Sequence, residues 1–114
     1  MAEEFRKLSG PIEFLELGDR ESVDLRVVSW ERGTTEIHTT RRGVEVTIEI
    51  PVLRVHVTTV TKPYPPMYYD ISSKTLMAQL VPLLARPDFR KWSYHVTAYG
   101  VAPRKRFTLE RRPL

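Results

Sequence analysis

Eleven side chains in this 114-residue sequence have the chemistry to hold a polyanion, and they stand in three places. Arg41 and Arg42 precede Gly43. Arg54, His56 and Lys62 are interleaved with Tyr64, Tyr68 and Tyr69. Arg104, Lys105 and Arg106 are consecutive. Guanidinium and ammonium groups neutralise phosphates, and tyrosine rings offer flat faces on which unpaired bases stack, at about 1–3 kcal/mol per base. Cations and aromatics in this mixture point to a single-stranded, base-bearing polyanion.

Other chemistry finds less support. There is no cysteine, which removes disulfides, iron–sulfur clusters, thiol nucleophiles and cysteine-bound zinc together. His38, His56 and His95 lie on three separate extended stretches, with no pair at a metal-ligand spacing, so no metal or cofactor is expected. Asp70, Ile71 and Ser72 form no triad signature with a histidine, and there is no Gly-x-Ser-x-Gly elbow. Five scattered glycines supply neither a phosphate loop nor a dinucleotide fingerprint. The expectation is a binding protein and not an enzyme.

Charge is unevenly divided. Residues 1–50 hold eleven acids and seven bases, a balance of −4, while residues 51–114 hold three acids and eleven bases, a balance of +8. The formal total of +4 therefore describes a dipolar chain, whose basic half ends in Arg104, Lys105, Arg106, Arg111 and Arg112. Such a patch suits a polyphosphate or an acidic protein surface. There is no Asn and one Gln, a depletion of thermolabile amides that, with many charged residues, is expected of a thermophile; Arg outnumbers Lys thirteen to five, which alone is a poor indicator. No window approaches the ~18 apolar residues of a membrane span, and the charged N-terminus lacks the apolar core of a secretory signal. A cytoplasmic protein without a membrane partner is expected.

These residues must be positioned by mostly extended elements. Residues 11–17 read as a short helix, capped by Ser9 or Gly10, opened by Pro11 and ended by Gly18; residues 1–8 before it are expected to fray or form another helical turn. From Ser22 the period becomes two. Val23, Leu25 and Val27 alternate with polar residues, and the Val27–Val28 step then breaks the phase, which predicts a bulge in a long strand continuing to Thr40. Arg41, Arg42 and Gly43 predict a hairpin. Residues 44–50 alternate cleanly, and Pro51 marks an edge or a bulge. Val55 and Val57 carry the alternation on to Val60.

A rigid loop at 62–66 and a short aromatic strand at 67–71 follow. Tyr68 and Tyr69, as neighbours in that strand, must point to opposite faces. Ser72 or Ser73 caps a helix with Leu76, Leu80, Leu83 and Leu84 in one stripe, and Pro82 predicts a kink or an end. Trp92, Tyr94, Val96 and Ala98 form another strand, residues 99–103 turn, and 104–111 return. Trp30, Trp92 and Phe107 are expected to pack inward. The order is β-β-β-α-β-β. An all-β chain with one helix there, plus the short N-terminal helix, fits a five-stranded OB-fold barrel over 22–112, with 1–21 as an extension.

The stretches TTRRGVEVTIEI, YYDISSKTLMAQLVPLL and FRKWSYHVTAYGVAPRKRFTLE resemble the small single-stranded-DNA-binding OB-fold proteins of archaea and their viruses, similar to the small OB domains of replication protein A. The resemblance runs from about residue 11 to 111. It implies binding of single-stranded DNA, possibly RNA, in replication, repair or recombination, with the two basic hairpins and the middle strands as the ligand face. Glu45 and Glu49 lie on the outward side of the second strand, where they repel phosphate, so the ligand path is expected nearer residues 55–60. The alternative reading is an OB-fold subunit that binds protein. There the acidic strand 44–50 and the basic C-terminal strand serve self-association as a homodimer, or assembly with replication and repair proteins.

Overall fold

A computed structural model describes residues 6–114. The chain forms β1 (Arg6–Lys7), β2 (Ser22–Leu25), β3 (Val27–Arg41), β4 (Val44–Val57), β5 (Tyr68–Ile71), α1 (Lys74–Leu84), a 3-10 turn (Phe89–Lys91), β6 (Trp92–Tyr99) and β7 (Arg106–Pro113). The sheets have the orders β1-β3-β4-β5 and β2-β6-β7. Strands β2 and β3 are one extended run interrupted at Arg26, and the register slips between Val27 and Ser29, where the expected bulge bends the chain from one sheet into the other. Counted as one strand, and with the two-residue β1 set aside, they give the anticipated order β-β-β-α-β-β.

Local chemistry accounts for the turns. Arg42 and Gly43 both have positive φ, 53° and 77°, which makes the β3–β4 connection the two-residue turn that matches strand twist. Pro51 stays within β4 opposite Thr34. The Thr34 carbonyl accepts from Leu8, on the side away from β4. Antiparallel geometry then turns the Pro51 nitrogen to the other edge, beyond the reach of β5, whose pairing starts at Leu53. Strand β4 ends at Val57; Val60 lies in the following turn and is exposed. The helix is capped by Ser73, whose Oγ accepts from the Leu76 N–H at 3.3 Å. At its other end Trp30 Nε1 donates to the Leu84 carbonyl at 3.0 Å, satisfying a group the helix leaves unpaired.

The core lies between the two sheets and α1. Leu25, Leu53, Val55, Ile71, Leu76, Leu80, Leu84, Tyr94, Val96 and Ala98 are essentially inaccessible. Burying each large aliphatic among them favours the fold by about 1.5–3 kcal/mol. Trp30, Trp92, Phe107 and Tyr69 pack against this cluster from its margins.

Two expectations are corrected. Residues 11–17 form no helix. They run extended, with Phe14 bridged in parallel to Asp70: Asp70 N–H donates to the Glu13 carbonyl at 2.7 Å and Leu15 N–H to the Asp70 carbonyl at 3.0 Å. Six residues between a proline and a glycine gain little from a helical nucleus, whereas the open edge of β5 offers a ready ladder. Of the stretch expected to fray or turn helically, Arg6 and Lys7 instead form β1, parallel to β3 at Gly33 and Thr34; residues 1–5 lie outside the described residues. The second correction concerns closure. The two sheets do not join into a hydrogen-bonded barrel. Leu15 lines, with Ile71, Leu76 and Phe107, a pocket left between β5 and β7.

Candidate nucleic-acid interface

The register of the first sheet sorts the middle-strand candidates. Glu31 pairs with Arg54, Arg54 with Asp70, and His56 with Tyr68, so these side chains share the face opposite the core residues Leu53 and Val55. That face is not open. From β1 the chain crosses it as a strap, with Leu8 bonded to Thr34 on one edge and Glu13 and Leu15 bonded to Asp70 on the other. Arg54 donates to the Ser9 carbonyl, and the Tyr68 hydroxyl donates to the Pro11 carbonyl. Gly33 makes the crossing possible: a Cβ there would stand 2.4 Å from the Arg6 carbonyl oxygen and 2.6 Å from Leu8 side-chain carbons.

Arg54 is consequently 3% exposed and Lys62 8%. Arg54 grips Asp70 through Nε at 2.7 Å and Nη2 at 3.2 Å, and its guanidinium lies 4.0 Å from the centre of the Tyr68 ring. Burial opposes its charge, but the bonds and attraction to Asp70 outweigh that and raise its pKa. Lys62 donates to the Tyr68 carbonyl at 3.0 Å, pairs with Glu13 at 2.8 Å, and stands 4.8 Å from the centre of the Tyr69 ring. Burial first, and the Glu13 charge second, push the Tyr69 hydroxyl pKa up. His56 Nε2 is 3.4 Å from Glu31, and its ring packs edge-on against Tyr68. Arg54 and Lys62 thus hold the strap to the sheet, and each lies over a ring, Arg54 over Tyr68 and Lys62 over Tyr69.

The loop candidates are different. Arg41 and Arg42 are exposed at the end of the β3–β4 hairpin, and Tyr64 is 76% exposed in the proline loop. In the β6–β7 connection Arg104 and Arg106 are exposed, and neither side chain is engaged by another described residue. Lys105 is turned inward, donating to the Leu17 carbonyl. The structure thus separates the candidates: Arg41, Arg42, Tyr64, Arg104 and Arg106 are exposed on loops, Lys105 is tied to Leu17, and Arg54, Lys62 and Tyr68 form an internal clamp.

The outer face of the second sheet brings in residues not singled out from the sequence. Tyr99 pairs across the ladder with Arg106, Thr97 with Thr108 and Ser22, His95 with Glu110 and Asp24, and Ser93 with Arg112. Exposure along this face is uneven: Ser93, at the Arg112 end, is 7% exposed. Tyr99 is 46% exposed beside Arg106. Asp24 is held by His95 at 2.7 Å, and Glu110 is paired with Arg112 at 3.2 Å. Tyr99 was legible by phase: it follows Ser93, His95 and Thr97 on the polar side of the strand. Among the described residues no three His, Asp or Glu side chains converge as a metal site. No known family, curated protein or solved structure matches the chain.

Proposed function

We propose that the chain is an OB-type domain that binds single-stranded nucleic acid, DNA in the first instance, on the β6–β7 loop and the outer face of the second sheet. The observation that carries this reading is the exposed Tyr99–Arg106 cross-strand pair beside Arg104, with neither guanidinium engaged by another described residue. A base stacks on the Tyr99 ring while the flanking phosphates meet Arg104 and Arg106. The strand then crosses the hydroxyl row of Thr108, Thr97 and Ser22, from β7 over β6 to β2. Arg41 and Arg42 supply a separate electrostatic contact at the hairpin end. The OB assignment is supported by the strand order, by a first strand that bends from one sheet into the other, and by the helix between the third and fourth strands.

The departure from a closed OB barrel bears on the ligand path. The face formed by the second and third strands, which carries oligonucleotides in OB domains, is covered here by residues 8–15. The exposed cations lie elsewhere, and the ligand follows them.

The test is a fluorescence-anisotropy titration of a labelled thirty-nucleotide DNA strand at two salt concentrations, with RNA and duplex of the same sequence alongside. Single-strand binding in the micromolar range at low salt is expected. Its logarithm should fall linearly with the logarithm of salt, at about 0.7 per phosphate neutralised. Equal affinity for duplex, or no binding to either single strand at low salt, overturns the reading.

A further inference from the structure

Between helix α1 and the β3–β4 pair lies a cleft of about 470 Å³. Met77 and Val81 on the helix, and Pro51 and Val52 on the sheet, give it apolar walls. Met77 and Val52 are only 8% and 1% exposed and form its floor. Small-molecule sites have this size and this character, mostly apolar with a few placed polar groups. The cleft shares no residue with the β6–β7 loop or the outer face of the second sheet, so a ligand held here is independent of nucleic-acid binding.

Two polar groups stand on the helix wall. The first is a carbonyl. Proline has no N–H, so Pro82 deprives the Ala78 carbonyl of its usual donor one turn ahead. The helix still runs through Pro82 to Leu84, with the Ala85 N–H donating to the Val81 carbonyl at 3.0 Å. Helical carbonyls point along the axis toward the residue four ahead, and Ala78 and Pro82 both line the cleft, so the unmatched acceptor opens on it. The second group is Lys74, one turn nearer the N-terminus. Its side chain is exposed and lines the cleft, and its ammonium makes no hydrogen bond or ion pair among the described residues. Acceptor and ammonium thus come from residues about 6 Å apart along the helix axis. Arg32 on the sheet wall carries the same sign as Lys74. Glu36 and Glu49, the next pair outward on this face of the sheet, do not line the cleft, and Glu36 is held by Lys7 at 2.7 Å.

The geometry points to a binding site for a small apolar carboxylic acid that carries an N–H donor about one helical turn from its carboxylate. The apolar body lies between Met77, Val81 and Pro51, the N–H donates to the Ala78 carbonyl, and the carboxylate meets Lys74. Both polar contacts are needed. An apolar body laid over Ala78 takes its carbonyl out of water, and only a donor on the ligand offsets that loss. A neutral ligand leaves the Lys74 charge without a partner.

Indole-3-propionic acid has this form and serves as the probe. Its titration into the protein, followed by carbon–proton NMR of the Met77 and Val81 methyls, should give saturable shifts with a Kd of about 1 mM or tighter. Indole-3-propionamide lacks the charge and the N-methylated indole acid lacks the donor; each should bind about fivefold more weakly. Pro82→Ala returns an N–H to residue 82 and so engages the Ala78 carbonyl within the helix. That variant should melt at a higher temperature, yet lose affinity for the probe, and lose more of it than for the N-methylated acid. Lys74→Gln should weaken both acids and leave the amide unaffected. No saturable shift at Met77 and Val81 up to about 10 mM overturns the proposal. Equal affinity for either analogue, or undiminished binding of the probe to either variant, overturns it as well.

Discussion

Arg54 and Asp70 face each other across β4 and β5 with Nε 2.7 Å from Oδ1, and Asp70 also accepts the Glu13 N–H at 3.0 Å. One buried carboxylate therefore joins the sheet to a segment more than fifty residues earlier in the chain. Removing one partner leaves the other charge buried and unpaired, which costs about 3–5 kcal/mol. Asp70→Asn should lower stability in urea by that order. The double variant Arg54→Met with Asp70→Asn should cost less than the sum of the two single changes, and a double-mutant cycle measures the difference. Additive losses would show that the two side chains act separately.

Gly33 makes a sharper prediction about the strap. An alanine Cβ there meets the Arg6 carbonyl oxygen at 2.4 Å and Leu8 carbons at 2.6 Å. Backbone on one side cannot yield cheaply, so Gly33→Ala should lift the crossing segment and cost about 1–3 kcal/mol. Hydrogen exchange at the Leu8 amide should quicken, while the Leu76 and Met77 amides of α1 keep their protection. Unchanged exchange at Leu8 would mean that the strap is not held by this contact.

The two features differ in how far the sequence could announce them. Ser73, the leucine stripe and the Arg42–Gly43 turn act through neighbours within one or two turns, so helix α1 and the β3–β4 hairpin were readable directly. The break at Val27–Val28 likewise marked the bend between sheets. In the structure Arg54 and His56 lie on the face of β4 opposite Leu53 and Val55. What covers that face is decided by residues 8–15, a pairing no local pattern reveals. Residues 11–17 read as a helix because Pro11 and Gly18 look like its ends, whereas the free edge of β5 determines their conformation. The expected barrel failed at the same seam. Tyr99 had the right phase but stood beside Gly100 in an apparent turn, which hid it as a site residue.

Asp88 offers a prediction in acid. The Trp92 indole N–H donates to its Oδ2 at 3.2 Å, and that bond is the main cause of a lowered Asp88 pKa. A lowered folded-state pKa means that the ionised carboxylate favours the native state. This contribution is complete above the ordinary aspartate range and fades as the pH falls through the lowered value. The Trp92 indole proton should therefore shift in NMR only below the pH at which a free aspartate titrates. Asp88→Asn should remove that acid step and leave the Trp30 indole, bonded to the Leu84 carbonyl, unmoved. A Trp92 shift at the ordinary aspartate pH would contradict the assignment.

The tyrosines separate the two possible ligand faces. Tyr99 is exposed beside Arg106, whereas Tyr68 lies under the strap with its hydroxyl bonded to the Pro11 carbonyl and Arg54 over its ring. On the second-sheet path, Tyr99→Ala should weaken single-strand binding by the worth of one stacked base, about 1–3 kcal/mol or roughly 5- to 150-fold. Its effect on stability should be small, because half of the side chain already meets solvent. Arg106→Ala should weaken binding and also reduce the salt slope by about 0.7, the mark of one lost phosphate contact. Tyr68→Phe should do the reverse. It removes a strap hydrogen bond worth about 1 kcal/mol of stability and leaves affinity unchanged. If Tyr68→Phe instead alters affinity while Tyr99→Ala does not, the ligand enters beneath the strap, and binding must then be slowed by the displacement of residues 8–15. Stopped-flow association rates that level off at high oligonucleotide concentration would confirm that alternative; rates linear in concentration belong to the open face around Tyr99.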